Sequence, residues 1–562
     1  MNFTLTGIRQ RLGAVVFKAA FTALNFIALA CIALVLVALP RLTQAGSLMP
    51  DRGYNLESLY STPAVLPATA ARVPDRYPEP EWHKAPSLPA IESGRLVLSL
   101  EQAVLLALRR NRELQVQRYG PVIAGTFEEI ERGLFDPQLL GDVNYSKERA
   151  SEVSRSTEER FSVEGEDLNL NSGLQQHLPS GADLGLNLSY ERSTSNRTPE
   201  QQQFRVGLSL TQALLQGFGP KVNLAAVRQA QLAGQASVYE LRGFVEALVA
   251  EVEIAYWCYV LAGEGLALYQ RSLEVAGQQL YEVEKRIEVG VLPRNAAAAA
   301  RAEKARRQQA LLAAQSQREE RRLRLLRLLN AEAEAEFALQ ITATSSARTE
   351  VADLGDDFQA RLELADKLRP DLNEARLRRE QHRLEVVRTR NGLLPKLDLF
   401  FDLGKTGYGE ALGKAFKNID RDNYEVTAGI SFSAYLNNRQ AAARDLAARA
   451  SLEQTGLALE NLRSLVQMDV RLARNEVENA RQQITAGAVT RAFQEQTLQA
   501  ETERFAIGAS TSLLVAQAQR DLLSSQLSEV EALIAYRIAL VNLYLAEGSL
   551  LEHRGISLAS VR

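Results

Sequence analysis

Apolar residues recur at helical spacing over two unusually long stretches of the chain. From Leu241 and again from Leu462, steps of four and three residues meet only apolar or aromatic side chains. Seams of this length exceed what a globular helix needs and are typical of coiled coils. The first seam comprises Leu241, Val245, Leu248, Val252, Ala255, Tyr259, Ala262, Leu266, Tyr269, Leu273, Ala276, Leu280, Val283 and Ile287, and the second comprises Leu462, Val466, Val470, Ala473, Val477, Ala480 and Ile484.

The seams and the breaks between them predict long helices joined by short turns. A shorter amphipathic helix begins after Ser99, which forms a potential capping box with Gln102. Gly290 and Gly508 interrupt the helical pattern, and a glycine in the left-handed conformation commonly ends a helix. The pattern predicts helices over residues 221–289, 294–337, 358–390, 439–505 and 513–546.

Two β-rich sections, residues 135–212 and 394–434, separate the helices. Apolar side chains there alternate with small polar ones, which suits either a membrane barrel with a wet lumen or a half-buried soluble sheet. Residues 161–176 offer either a further strand or a large external loop, so the chain has four or six strands, and four is preferred. Four strands cannot close a barrel, so three copies would supply about twelve. The clearest alternations lie at 184–190, 204–210, 397–403 and 426–432.

The order of helix, strands and long helical hairpin occurs twice. Three short segments of the first half have counterparts in the second, in the same order: 133–135 with 392–394, 206–210 with 428–432, and 286–290 with 504–508. This order predicts an internal two-fold repeat. The predicted units are residues 95–345 and 346–550, followed by a C-terminal tail over 551–562.

The N-terminus has the order of a secretory signal. Basic residues precede an apolar run over 19–40, and small residues follow it, which predicts a signal peptide over 1–45. The run is also long enough for an uncleaved membrane anchor, and lipidation at Cys31 is a weaker alternative. Residues 46–94 are rich in proline and predict an extended arm that either lies along a neighbouring surface or acts as a spacer.

Composition narrows the function classes. The 65 basic and 68 acidic residues give a net charge of −3, which excludes a strongly basic nucleic-acid binder. Eight of the 17 prolines lie in the arm, and none follows Pro395, as expected of a second half with few loops. Two cysteines and four scattered histidines predict no disulfide framework and no metal site. With no phosphate loop or nucleophile motif, we expect no catalysis and no cofactor.

The ordered set of motifs resembles the outer-membrane efflux protein family of TolC-like channels. The resemblance runs from Leu96 to about Ser549, and its most telling local matches are 99–103, 135–137, 255–257 and the two glycine breaks. It implies an α+β membrane protein, with a long antiparallel coiled-coil α-helical barrel and an outer-membrane β-barrel completed by trimerisation. Such a homotrimer contacts outer-membrane lipid and extends into the periplasm of a Gram-negative type envelope.

The family implies a passive exit duct of a tripartite efflux or type I secretion system. A periplasmic adaptor (membrane fusion protein) and an inner-membrane pump would supply substrate and energy. The adaptor would dock against the two helical tips, although ordinary helix-hairpin chemistry explains the same residues. The docking residues implied for this chain are Arg286, Val289, Gly290, Val291, Arg504, Ile507, Gly508 and Ala509.

The predicted entrance constriction departs from the family pattern. Well-known members place aspartates about two turns after the second tip glycine, whereas the corresponding residues here are Leu514 and Gln517, with Asp521 the nearest acid. A cation-selective acidic ring is therefore in doubt, and a partly apolar constriction is the alternative.

Two other functions remain open on the sequence alone. One is an inner-membrane-anchored periplasmic coiled-coil adaptor, which would keep residues 1–45 and cover its sheet. The other is a soluble structural rod.

Overall fold

The structure of the chain is a computed structural model. The predicted signal peptide lies outside the described residues, as do most of the arm and the last residues of the predicted tail. The structure describes residues 80–82, 85–89, 91–92, 95–153, 160–196, 199–292, 294, 296–330, 334–347, 357–420 and 423–557.

Two long helical hairpins account for much of the described chain. The first joins α5 (Ala225–Glu288) to α6 (Ala296–Leu328), and the second joins α11 (Arg439–Ala506) to α12 (Ser512–Glu547). With 64 residues, α5 is roughly 95 Å long at 1.5 Å per residue. Most of the predicted seam is buried on both long helices, for example Val245 and Val252 on α5 and Val470 and Val477 on α11.

The shorter helices lie beside the hairpins. The predicted capping box is present, since the Gln102 N–H donates to the Ser99 hydroxyl and Gln102 Oε1 accepts from the Ser99 N–H. The helix predicted over 358–390 is two helices, because Pro370 begins the second and Arg369 is extended before it. The shorter helices are α1 (Leu100–Arg110), α2 (Arg112–Gln117), α3 (Tyr119–Arg132), α4 (Pro220–Asn223), α7 (Glu334–Phe337), α8 (Phe358–Leu368), α9 (Pro370–Asn391), α10 (Leu412–Lys417) and α13 (Leu550–His553).

One antiparallel sheet contains six strands, so the preference for four strands was wrong. From one edge of the sheet to the other, the strands are β10 (Tyr424–Ser433), β9 (Lys396–Gly409), β7 (Gln201–Ala213), β6 (Ala182–Ser195), β5 (Arg160–His177) and β4 (Gln138–Val153). The first two strands along the chain, β4 and β5, do not show the alternation of apolar and polar residues along their whole length, because charged pairs replace apolar residues in their outer halves. Lys147 lies 2.6 Å from Glu166, and Arg149 lies 3.2 Å from Glu164.

Over the inner halves of the strands the two faces of this sheet differ in polarity, whereas in the outer halves of β4 and β5 charged pairs occupy the otherwise apolar face. Residues paired across the strands share a face, so the apolar positions form a continuous band: Leu170 lies opposite Tyr190, and Leu208 opposite Leu403. The opposite face carries small polar residues, such as Asn171 paired with Ser189. Among the described helices, none combines the length and the apolar character that a bilayer crossing requires.

A buried core joins distant parts of the chain around two tyrosines of α5. Strand β3 (Arg95–Leu98) pairs with β2 (Ile91–Glu92) and, in parallel, with β8 (Gln340–Ala343). The Tyr256 hydroxyl donates to the Leu98 carbonyl at 3.0 Å, and the Tyr259 hydroxyl donates to the Ile341 carbonyl at 2.5 Å. We call this the strand–tyrosine core.

Both ends of the described chain contribute to the same core. Strand β1 (Glu81–Trp82), in the proline-rich arm, pairs with β11 (Ile556–Ser557) near the C-terminus. Leu550, Leu551 and Ile556 are buried. The described part of the predicted tail is therefore a structural element, and the described end of the arm lies along the protein.

Two buried carboxylates on α5 lie beside the C-terminal segment. Glu253 is fully buried and accepts two 2.6 Å hydrogen bonds from the Arg554 guanidinium. About two turns earlier on the same helix, Glu246 lies 3.1 Å from Arg242, which also contacts Glu552 at 2.5 Å. Burial raises the pKa of the Glu246 carboxyl to about 8, although the Arg242 charge opposes the shift.

The raised pKa of Glu246 predicts a pH-dependent stability. Because the folded chain holds this proton up to about pH 8 and the ordinary value is 4.5, its contribution to stability is complete below pH 4.5 and lost as the pH rises to 8. One proton gives a slope of at most about 1.4 kcal/mol per pH unit. Glu246→Gln should flatten this slope in unfolding measurements from pH 5 to 8.5, and identical slopes for both proteins would contradict the assignment.

Candidate functional site

The two hairpin turns have the same backbone geometry. Gly290 has φ of 80° and Gly508 has φ of 79°, a region that residues with a Cβ adopt at a cost. The Val291 N–H donates to the Arg286 carbonyl and the Ala509 N–H donates to the Arg504 carbonyl, both at 2.8 Å. Each glycine N–H also donates to the carbonyl three residues earlier, Gly290 to Ile287 at 3.0 Å and Gly508 to Phe505 at 3.2 Å. The two bonds at each turn together form a Schellman motif.

The predicted docking residues present apolar side chains to solvent. The exposed fraction is 71% for Val289, 69% for Val291 and 80% for Ile507. Leu513, at the start of α12, is also exposed. Exposed apolar groups gathered at one place are typical of a protein contact surface. We call these residues, with the two glycines, the tip surface.

The two tips touch each other through an arginine and an aromatic ring. The Arg286 guanidinium lies over the Phe505 ring, 4.7 Å from its centre, in a cation–π contact. Arg504 instead lies 2.7 Å from Glu501 of its own hairpin. The other Glu501 oxygen accepts from the Ser510 hydroxyl at 2.7 Å, and this bond is the main reason that the pKa of Glu501 is lowered. The structure therefore brings the two predicted sets of tip residues together.

An ion cluster that sequence reasoning missed links the hairpins behind the tips. Glu303 of α6 is 6% exposed, and its carboxylate lies 2.8 Å from Arg307 and 3.1 Å from Arg520 of α12. The cluster borders a cavity of about 310 Å³ between the hairpins, which Phe505 and Gln279 also line. The Glu303–Arg307 spacing of four residues is readable in a helix, but nothing local indicates the distant Arg520.

The predicted constriction residues share one exposed face of α12. Leu514, Gln517 and Asp521 are all exposed and lie at helical spacings of three and four. The face continues through Ser524 and Ser528. One leucine, one amide and one carboxylate thus follow each other away from the second tip.

The described residues contain no group of three His, Cys, Asp or Glu side chains that could hold a metal ion. The chemistry of this region is that of packing, hydrogen bonds and charge pairs.

Comparison with known families identifies the chain. The sequence model of the outer membrane efflux protein family matches residues 175–331 and 362–549, more than half of the chain. The chain belongs to this family. Both tips and the three constriction residues lie inside the matched segments of this outer membrane efflux protein, whereas β4 and nearly all of β5 precede them.

Solved channels share the fold of this outer membrane efflux protein. The outer-membrane channel OprN has 18% identity and a TM-score of 0.59, covering 80% of this chain and 90% of that chain. The CmeC outer membrane channel of Campylobacter jejuni has 16% identity and a TM-score of 0.57, covering 90% and 94%. The open-state MtrE outer membrane channel of Neisseria gonorrhoeae has 19% identity and a TM-score of 0.57, covering 84% and 97%. No curated protein sequence matches the chain at a significant level.

Proposed function

We propose that this protein is a trimeric outer-membrane channel, the passive exit duct of a tripartite efflux or type I secretion system. The observation that carries the proposal is the six-stranded sheet, apolar on one face and polar on the other, joined to two long helical hairpins in a member of this family. An apolar outer face and a polar inner face are what a membrane barrel requires. Residues 1–45 would direct the chain to the envelope and be removed, and the two repeat units would have arisen by duplication.

The edges of the protomer support assembly with further copies. The helices next to the sheet contact one another in the order α3–α5–α9–α11, so α3 and α11 lie at the ends of the row, as β4 and β10 do in the sheet. Both end helices carry exposed apolar side chains that suit contact with another copy: Tyr119, Ile123, Phe127 and Ile130 on α3, and Leu457, Leu465, Met468 and Leu472 on α11. Contact between opposite edges is heterologous and closes a ring when the rotation permits.

The tip surface is the proposed docking site for a periplasmic adaptor, which would connect the duct to an inner-membrane pump. Its support is the exposed Val289, Val291 and Ile507 on turns fixed by Gly290 and Gly508. Leu514, Gln517 and Asp521 would then line the entrance beside the tips, giving a partly apolar constriction rather than an acidic ring. In this role the protein needs no catalytic group, metal or cofactor.

Envelope fractionation and reconstitution test the proposal. We expect the mature chain, lacking residues 1–45, in the outer-membrane fraction, a threefold cross-linked species, and discrete conductance steps in planar bilayers. Recovery with the inner membrane and an intact N-terminus would instead support the anchored adaptor. A soluble species without conductance would support the structural rod.

A further inference from the structure

The two halves of the chain contribute unequally to the sheet. Among the described residues, the first half provides β4, β5, β6 and β7 to this sheet, and the second half provides β9 and β10. Building on the proposed trimeric channel, we propose that its membrane end is an eighteen-stranded, water-filled barrel with six strands from each copy. Because barrel diameter grows roughly linearly with strand number, this outlet would be about 1.5 times as wide as one of twelve strands.

The two strands that precede most of the family match, β4 and β5, belong to the same sheet as the other four. The β4 and β5 strands have 16 and 18 residues, more than the roughly ten that cross a bilayer. They pair along their whole length, with Val143 opposite Leu170 and Tyr145 opposite Leu168. Leu170 in turn lies opposite Tyr190 of β6, so the apolar band of the other strands extends across both without a change of face.

The polar face is suited to an open lumen. Asn171 pairs with Ser189 on this face, and the Asn171 amide donates to Asp142 at 2.9 Å. The helix between β9 and β10, α10, lies on the other face, where the Phe416 ring is 5.4 Å from the Phe204 ring. Barrels of 16–18 strands leave an aqueous channel.

The two edge strands of the sheet determine what can close the barrel. Within the described part of the chain, β4 and β10 each have one sheet neighbour, and both bring apolar positions to the edge, including Val143 on β4 and Val426 and Ile430 on β10. A second copy of this chain supplies the opposite edge and continues the same band, and the adjacent α3 and α11 extend the contact.

Cysteine labelling of the full-length trimer tests whether β5, like β6, lies in the membrane barrel with one face toward lipid and the other toward water. Cys258 is replaced by Ser, and Cys31 lies in the proposed signal peptide, so single cysteines can be placed by Leu170→Cys, Leu188→Cys, Asn171→Cys and Ser189→Cys. In liposomes, a membrane-impermeant maleimide should react at least about tenfold more slowly with the first two, which face lipid, than with the last two, which face water. Equal reaction at all four positions would overturn the proposal.

A direct measurement uses a shortened chain. Deleting residues 160–195 removes β5 and β6 and leaves β4 followed by β7, the arrangement of a twelve-stranded trimer. Electron microscopy in nanodiscs should show the wild-type barrel about 1.5 times as wide as that of the deletion, and equal widths would contradict the proposal. If the deletion does not fold, the wild-type strand count decides alone. Absence of trimers and conductance would refute the channel itself, whereas conducting trimers with twelve strands would refute only the wider barrel.

Discussion

A chain carrying both Gly290→Val and Gly508→Val is expected to reach the outer membrane and form trimers but to lose export. Each glycine has φ near 80°, where a residue with a Cβ costs roughly 1–2 kcal/mol and a β-branched residue is especially disfavoured. Apart from each glycine's own chain neighbours, no atom of the described residues lies within 4 Å of the position a Cβ would take at either glycine. Valine at these positions should therefore change the geometry of the turns and displace Val291 and Ala509, while packing within the protomer is unchanged.

Export is measured as protection of a host that lacks the native gene against a panel of dyes, antibiotics and metal salts. For compounds against which the wild-type chain protects, the double variant should lower the inhibitory concentration at least about tenfold. Gly277→Val is the matched control, because Gly277 also has open space around it but a helical backbone. Full protection by the double variant, with normal amounts of trimer, would count against docking at the tip surface.

Arg554→Met is expected to be the most destabilising single change near the C-terminus. It removes both hydrogen bonds to the fully buried Glu253 and leaves an unpaired charge inside the protein. Breaking such a pair typically costs about 3–5 kcal/mol. The free energy of unfolding, from urea titration of the purified protein, should fall by that amount.

Two further variants separate the buried charge from other causes. In the double variant Glu253→Met with Arg554→Met, most of the loss should be recovered, because replacing a buried ion pair by apolar residues is often nearly neutral. Lys414→Met removes an exposed pair with Glu410 and should change stability by less than about 1 kcal/mol. A loss of that small size for Arg554→Met would show that Glu253 finds water or another partner.

Local periodicity made the helices and tips predictable. The seam from Leu241 to Ile287 and the glycines at 290 and 508 depend on residues a few positions apart, and the structure places most helix ends within a few residues of the prediction. The exception is α6, which was predicted to reach residue 337 and ends at Leu328. The features that were not predicted depend on residues far apart in the sequence. Lys147 and Arg149 look incompatible with a barrel strand until Glu166 and Glu164 lie opposite them. Arg520 likewise becomes a partner of Glu303 only when the two hairpins meet.

The strand–tyrosine core also constrains the order in which the chain can fold. The Leu100 N–H donates to the Ser345 hydroxyl at 3.0 Å across 245 residues of sequence, and Tyr256 accepts from the Ser345 N–H. Contacts between such distant residues form slowly, because the loop must close before they contribute. The first hairpin can therefore assemble early from local contacts, while β8 reaches β3 late. A chain that ends before residue 340 keeps the coiled coil of the first hairpin but lacks β8, so β3 has no parallel partner. Protease resistance of the strand–tyrosine core would therefore report that folding is complete.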